Sequence, residues 1–269
     1  MPVIFITALF LLIGAPAALA HDPITSDGQD RWAALTSVLT LVAFWAVYLA
    51  GAWRSRPKTS LAVLFHLGLI LCTLAVLGPL DEWAETNEAA HMTQHMLFMT
   101  IIAPIWVIAR PLPQLMAGTG RAFAPLWNAA LRLTQYPMVC AYIHGAFIWF
   151  WHVPYYYVLA LDNPWWHIIE HACFILSAGL FWWAALKSSR IRAPWALLAV
   201  LFTLVHTGFL GALLTFADAP LYGVDRALAH QQLAGLIMWV AGGLPYMLAS
   251  LWIGSRWYAQ LQSRMTDEE

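Results

Sequence analysis

The chain has 269 residues, of which 61% are hydrophobic and 10% charged, with a formal net charge of −1. Soluble domains carry about 25% charged residues, so the composition excludes an ordinary soluble domain, and the lack of basic excess argues against nucleic acid as a partner. Cys72, Cys140 and Cys173 lie far apart in apolar runs with no Cys-x-x-Cys pair; they read as small apolar packing residues.

The first element is an apolar stretch over residues 3–14, followed by Ala18-Leu19-Ala20 and the polar His21-Asp22-Pro23. That order predicts a signal peptide over residues 1–20, with an uncleaved extra helix as the alternative. Residues 21–31 then form a short periplasmic segment. A membrane-crossing helix needs about 20 apolar residues. Seven segments meet that requirement: 32–53, 61–80, 88–109, 137–158, 164–186, 194–217 and 228–253. The expected fold is therefore all-α, a polytopic membrane protein with a seven-transmembrane-helix bundle over residues 32–256 and a cytoplasmic tail over 257–269. The breaks carry charge, Pro or Gly and are too short for a soluble domain. The longest, 110–136, has room for a short helix on the membrane surface.

Charge sets the orientation. With seven alternating helices, basic residues 54, 56, 58, 110, 121, 132, 187, 190, 192, 256 and 264 fall on one side, eleven of the 13 Lys and Arg. Arg31 and Arg226 lie opposite, with most of the loop acids. The positive-inside rule makes the basic side cytoplasmic, which gives N-out, C-in topology.

The histidines carry the chemistry. His91 and His95 form one i,i+4 pair, His167 and His171 another. That spacing puts two rings on one helix face, a turn apart. Imidazoles facing lipid are costly. Both pairs, and His230, lie in the first turns of segments that start from the outer side, and His152 ends a segment at the same level. These residues are the expected metal ligands, with His152 next in rank. Glu170 between the second pair, and Gln94 in the first helix, are expected to support them. Met92 and Met96 offer thioether sulfur, although methionines in such helices more often pack.

Imidazole suits copper, zinc, iron and nickel, and thioether favours cuprous copper. His167-Ile168-Ile169-Glu170-His171 also spells H-x-x-E-H, in which two histidines bind zinc and the glutamate activates water. A third alternative is bis-histidine haem, for which His144 or His66 with His206 would be a deeper pair. The aromatic residues around 149–166 read as an interfacial belt.

Four blocks together resemble the Bacillus-type CtaG cytochrome c oxidase assembly factor family: His91-Met92-Thr93-Gln94-His95-Met96 with Ala103-Pro104 and Arg110-Pro111; Trp151-His152-Val153-Pro154; His167-x-x-Glu170-His171; and Gln231-Gln232-Leu233-Ala234-Gly235 through Trp239. The chain departs from the family pattern at His230, where an acidic residue often precedes the Gln pair. The resemblance implies a multi-pass protein of the bacterial inner membrane that serves haem-copper oxidase maturation. It further implies copper held or relayed at the outer face, without catalysis. Its partners would be cytochrome c oxidase subunits, periplasmic copper chaperones and the lipid bilayer.

Overall fold

The computed structural model describes residues 28–224 and 226–267. The leader expected over 1–20 lies outside the described residues. All regular structure among them is helical. In chain order the helices are α1 (Gly28–Arg54), α2 (Thr59–Leu77), α3 (Pro79–Thr86), α4 (Glu88–Ala109), α5 (Leu112–Thr119), α6 (Ala124–Leu133), α7 (Pro137–Trp151), α8 (Pro154–Asp162), α9 (Pro164–Leu186), α10 (Ala193–Thr215) and α11 (Leu228–Ser263). Helical structure continues from α11 to Asp267, through most of the expected tail.

Six of these are long and apolar enough to cross a membrane: α1, α2, α4, α9, α10 and α11. The fourth expected segment is divided. His152 ends α7, Val153 is extended, and Pro154 starts α8, because the residue before a proline is pushed out of the helical region. The 15 residues of α7 rise about 22 Å, short of the ~30 Å hydrocarbon core. The 110–136 connection holds two short helices. Of these α5 packs along α1, while α6 buries no residue.

Of the six long helices, α4 is the most enclosed and α9 the next. α4 contacts α2, α3, α9 and α11, and α9 contacts α4, α7 and α10. These two helices carry both histidine pairs, so their polar groups are taken up inside protein rather than exposed to lipid. Small residues set the closest approaches. A Cβ on Gly211 of α10 would lie 2.8 Å from the Gly235 carbonyl oxygen of α11, so the two backbones are in direct contact.

Both ends of the bundle are defined by contacts. At one end Asp81, the start of α9 and the first turns of α1 surround a small cavity, and Arg226 reaches Glu88. At the other, Lys58, Arg110, Lys187 and Arg256 line one large cavity. The connections that are basic in sequence therefore do meet at one end.

Candidate metal centre

The two helices that bear the pairs begin alike. Asn87 caps α4, its side chain accepting from the Ala89 and Ala90 amides at 2.9 and 3.2 Å. Asn163 caps α9, accepting from the Trp165 and Trp166 amides at 2.9 and 3.4 Å. An N-cap asparagine satisfies amides that the first turn leaves open. His91 donates its amide to the Asn87 carbonyl and His167 to that of Asn163. Each pair thus stands four and eight residues past its cap, in the same register. Asn-x-x-x-His-x-x-x-His occurs twice in the sequence and fixes the matched depth.

The α4–α9 contact turns the two pairs toward each other around Glu170. The His95 and His91 Nε2 atoms lie 3.5 and 3.6 Å from Glu170 Oε2. His91, His95 and Glu170 offer ligand atoms within 4.8 Å of one another, as do His167, Glu170 and His171. Across the helices the His91 and His167 rings stack at 5.4 Å between centroids, and His95 and His171 meet at 5.8 Å. His91, His95 and Glu170 are fully enclosed. Among the described residues neither Glu170 oxygen has a hydrogen-bond partner, nor has any ring nitrogen of His91 or His95, nor Nε2 of His171. Burying so many polar atoms without partners is costly.

His152 joins this set from α7, with its ring 6.4 Å from that of His95. Its Nδ1 lies 2.7 Å from the Ile148 carbonyl oxygen and so must donate, which leaves Nε2 as a bare lone pair, buried and without a partner. Metal-binding histidines are commonly fixed in this way, one nitrogen on a carbonyl and the other free to ligate.

Other expected members go elsewhere. Gln94 is turned about 60° from the His91 direction by helix geometry; its Nε2 donates to the Ala75 carbonyl and to Asp81 Oδ1, both at 2.7 Å. It fastens α4 to α2 and α3 instead of supporting the cluster. Met92 and Met96 sit about 100° from their neighbouring histidines and pack in the core toward α11, with Met96 Sδ against Gly242. The centre therefore contains imidazole and carboxylate but no sulfur. His230, in the first turn of α11, faces Glu88, one turn of α4 before His91; it is half-exposed, its Nδ1 3.9 Å from Glu88 Oε2.

Tyr157, expected in the interfacial belt, and Tyr222 and Glu88, not among the expected site residues, enclose the centre. Tyr157 of α8 is buried, 5.2 Å from the His91 ring. Tyr222, from the loop between α10 and α11, stacks on Tyr157 at 3.7 Å and donates its hydroxyl to the His152 carbonyl at 3.4 Å. Burial, more than the nearby carboxylates, pushes the Tyr222 phenol up from its ordinary range. The buried Glu88 pairs with Arg226 at 3.0 Å and ties the same loop to α4. The available signal was local: Glu88 is an acid in the first turn of an apolar helix, and Arg226 a base on the acidic side.

The deeper histidines are separate. His66 bonds the Ala62 carbonyl through Nδ1 and accepts from Trp45 through Nε2. His144 Nδ1 is 2.9 Å from Ser177, and His206 Nδ1 accepts from Trp149. The three cysteines are free thiols, with Cys72 and Cys140 buried.

Comparison with curated proteins gave no match, and comparison with solved structures gave none. Residues 46–260 match the family model described as cytochrome c oxidase caa3 assembly factor (Caa3_CtaG). That span contains both capped helices, the whole Glu170 cluster and the loop that covers it. The chain belongs to the cytochrome c oxidase caa3 assembly factor family.

Proposed function

We propose that this assembly factor holds copper at the Glu170 cluster and passes it toward the oxidase. The observation that carries the reading is the buried Glu170 carboxylate between His91 and His95, with no hydrogen-bond partner of its own. A charge in that position needs a compensating cation. Five imidazoles and one carboxylate form a donor set that suits copper, and a single cuprous ion would balance the carboxylate's charge. His91, His95, His167 and His171 are the proposed ligands, with Glu170 shared between the pairs and His152 as the fifth imidazole. The absence of thiolate favours release, since no tight Cu–S bond has to be broken.

The proposed setting is the bacterial inner membrane with seven crossings. The α7–α8 unit makes the fourth, its short helix extended by α8. The basic end would face the cytoplasm and the histidine end the periplasm, where copper chaperones and the oxidase's copper-receiving subunit are reached. A cleaved leader over residues 1–20 fits the same orientation.

Packing disfavours the two alternatives. The cavity beside His167 and His171 is about 20 Å³, room for about one water molecule, and no peptide could reach Glu170 through it. For the haem pair, a Cβ on Gly145, next to His144, would lie only 2.9 Å from His206 Nε2, so α7 and α10 leave no slot for a porphyrin there, and Trp45 occupies His66 Nε2.

The test is copper content of purified protein, for wild type and the double variants His91→Ala/His95→Ala and His167→Ala/His171→Ala. Each double variant should lose most of the copper while remaining folded by circular dichroism. Copper equal to wild type in both would overturn the site.

A further inference from the structure

The histidine cluster leaves a large cavity unused. It lies at the opposite, basic end, has a volume of about 1160 Å³, and is bounded by α2, α4, α9 and α11. Its walls are apolar, with Trp182, Leu186, Pro245 and Trp252 among them. Its mouth carries Lys58, Arg110, Lys187 and Arg256, and no acidic residue lines it. Among the described residues none of these four cations has a carboxylate within 4.0 Å; Arg256 instead lies over the Trp252 ring at 4.6 Å. Burial, and then the charges of Arg110 and Arg256, pull the Lys187 ammonium below its ordinary range. Arg110 itself adopts a left-handed backbone (φ 53°), the only non-glycine residue with positive φ among those described. That conformation is strained for a residue with a Cβ, and here it directs a guanidinium to the cavity mouth.

Four like charges gathered without counter-charge repel one another, and an anion relieves that repulsion. A cation such as copper would be rejected, so this cavity is not an inner extension of the metal path. Trp182, in the cavity wall, stacks on the buried Tyr246 at 5.2 Å between near-parallel rings. The occupant must combine an anionic head with an apolar body and be available from within the bilayer. Basic pockets between transmembrane helices bind the phosphates of anionic lipids.

We propose that this cavity is a binding site for an anionic phospholipid, its phosphate held by Lys58, Arg110, Lys187 and Arg256 and its acyl chains lying against Trp182, Pro245 and Trp252. Such a lipid would bridge α2, α4, α9 and α11 at the end opposite the metal centre. The proposal requires only that the protein sits in a membrane, and stands independently of the copper reading.

The test uses the full-length protein, purified in detergent and delipidated, then supplied with phosphatidylglycerol, with phosphatidylcholine, or with inorganic phosphate. Bound lipid is counted by native mass spectrometry and stability followed by thermal unfolding. Phosphatidylglycerol should bind and raise the melting temperature, and the other two should not. Lys187→Gln/Arg256→Gln should weaken phosphatidylglycerol binding about 30-fold, at roughly 1 kcal/mol per basic residue. The charge-preserving Lys187→Arg/Arg256→Lys should retain it, which separates lost charge from lost folding. Equal binding of phosphatidylcholine would overturn the headgroup contact. Equal stabilisation by inorganic phosphate would reduce the site to a simple anion site and overturn the lipid. Unchanged binding in the glutamine variant would overturn the cavity assignment.

Discussion

Glu170 is the residue on which the proposed metal centre turns. Its neighbours are imidazoles, which stabilise a carboxylate weakly when neutral and strongly when they share a cation with it. Glu170→Gln keeps the shape and removes the charge. Partners outside the ligand shell typically change metal affinity 10–100-fold, and a shared ligand should do more. The variant should therefore lose copper affinity by about 100-fold or more. The metal-free protein should unfold at the same or a higher temperature than wild type, because a buried uncompensated charge is gone. Competition titration with a cuprous chelator reads the first quantity and thermal melting the second. Affinity within threefold of wild type would remove Glu170 from the site. His152 illustrates the same logic: a carbonyl at 2.7 Å fixes its tautomer, so its free nitrogen is oriented before any ion arrives.

At the next level, α4 and α9 work as a matched pair because each starts at an asparagine cap and counts four residues to its first histidine. Their register is local, but their juxtaposition depends on the bundle around them. π-helical segments follow in α4 at Leu97–Ile102 and interrupt α11 at Ile237–Ala241; such segments often occur beside functional sites. α11 is held against α10 by the Gly211–Gly235 backbone contact. Gly235→Leu should force these helices apart and destabilise the protein by about 1–3 kcal/mol. Thermal unfolding in detergent measures this, and a melting temperature equal to wild type would show that the close approach is dispensable.

For the molecule as a whole, the two ends differ in chemistry. One gathers histidines, Glu170 and the Glu88–Arg226 tie; the other gathers the four cations of the large cavity. The orientation proposed from this asymmetry is testable with single cysteines at exposed loop positions. In right-side-out cells a membrane-impermeant maleimide should label Asp218→Cys and spare Ser189→Cys, and in inverted vesicles the preference should reverse. Labelling of both positions from the same side would contradict an odd number of crossings between them.

Much of the fold was legible because apolar runs of membrane length and the charges between them are one-dimensional signals. Each of the six long helices overlaps one expected segment; α4 and α9 match their bounds, and α11 runs ten residues past residue 253. The break at Val153-Pro154 was visible as a proline, yet not as the shortening of α7. The two histidine pairs were legible because i,i+4 spacing and chain direction fix face and depth. Gln94, Met92, Met96 and His230 illustrate the limit. The first three share the depth of the cluster but not its direction, while His230 sits a turn off beside Glu88, and each placement depends on which neighbour the helix face meets. Asp81 draws Gln94 away, α11 takes up the methionines, and Glu88 faces His230. The amino-acid order thus determined the membrane setting, the helices and the depth of the imidazoles, since these follow from hydropathy, charge and helical period. Only the tertiary structure decided that both pairs close on one buried carboxylate, with His152 joining and Tyr222 covering them, because those contacts are made between helices distant in sequence.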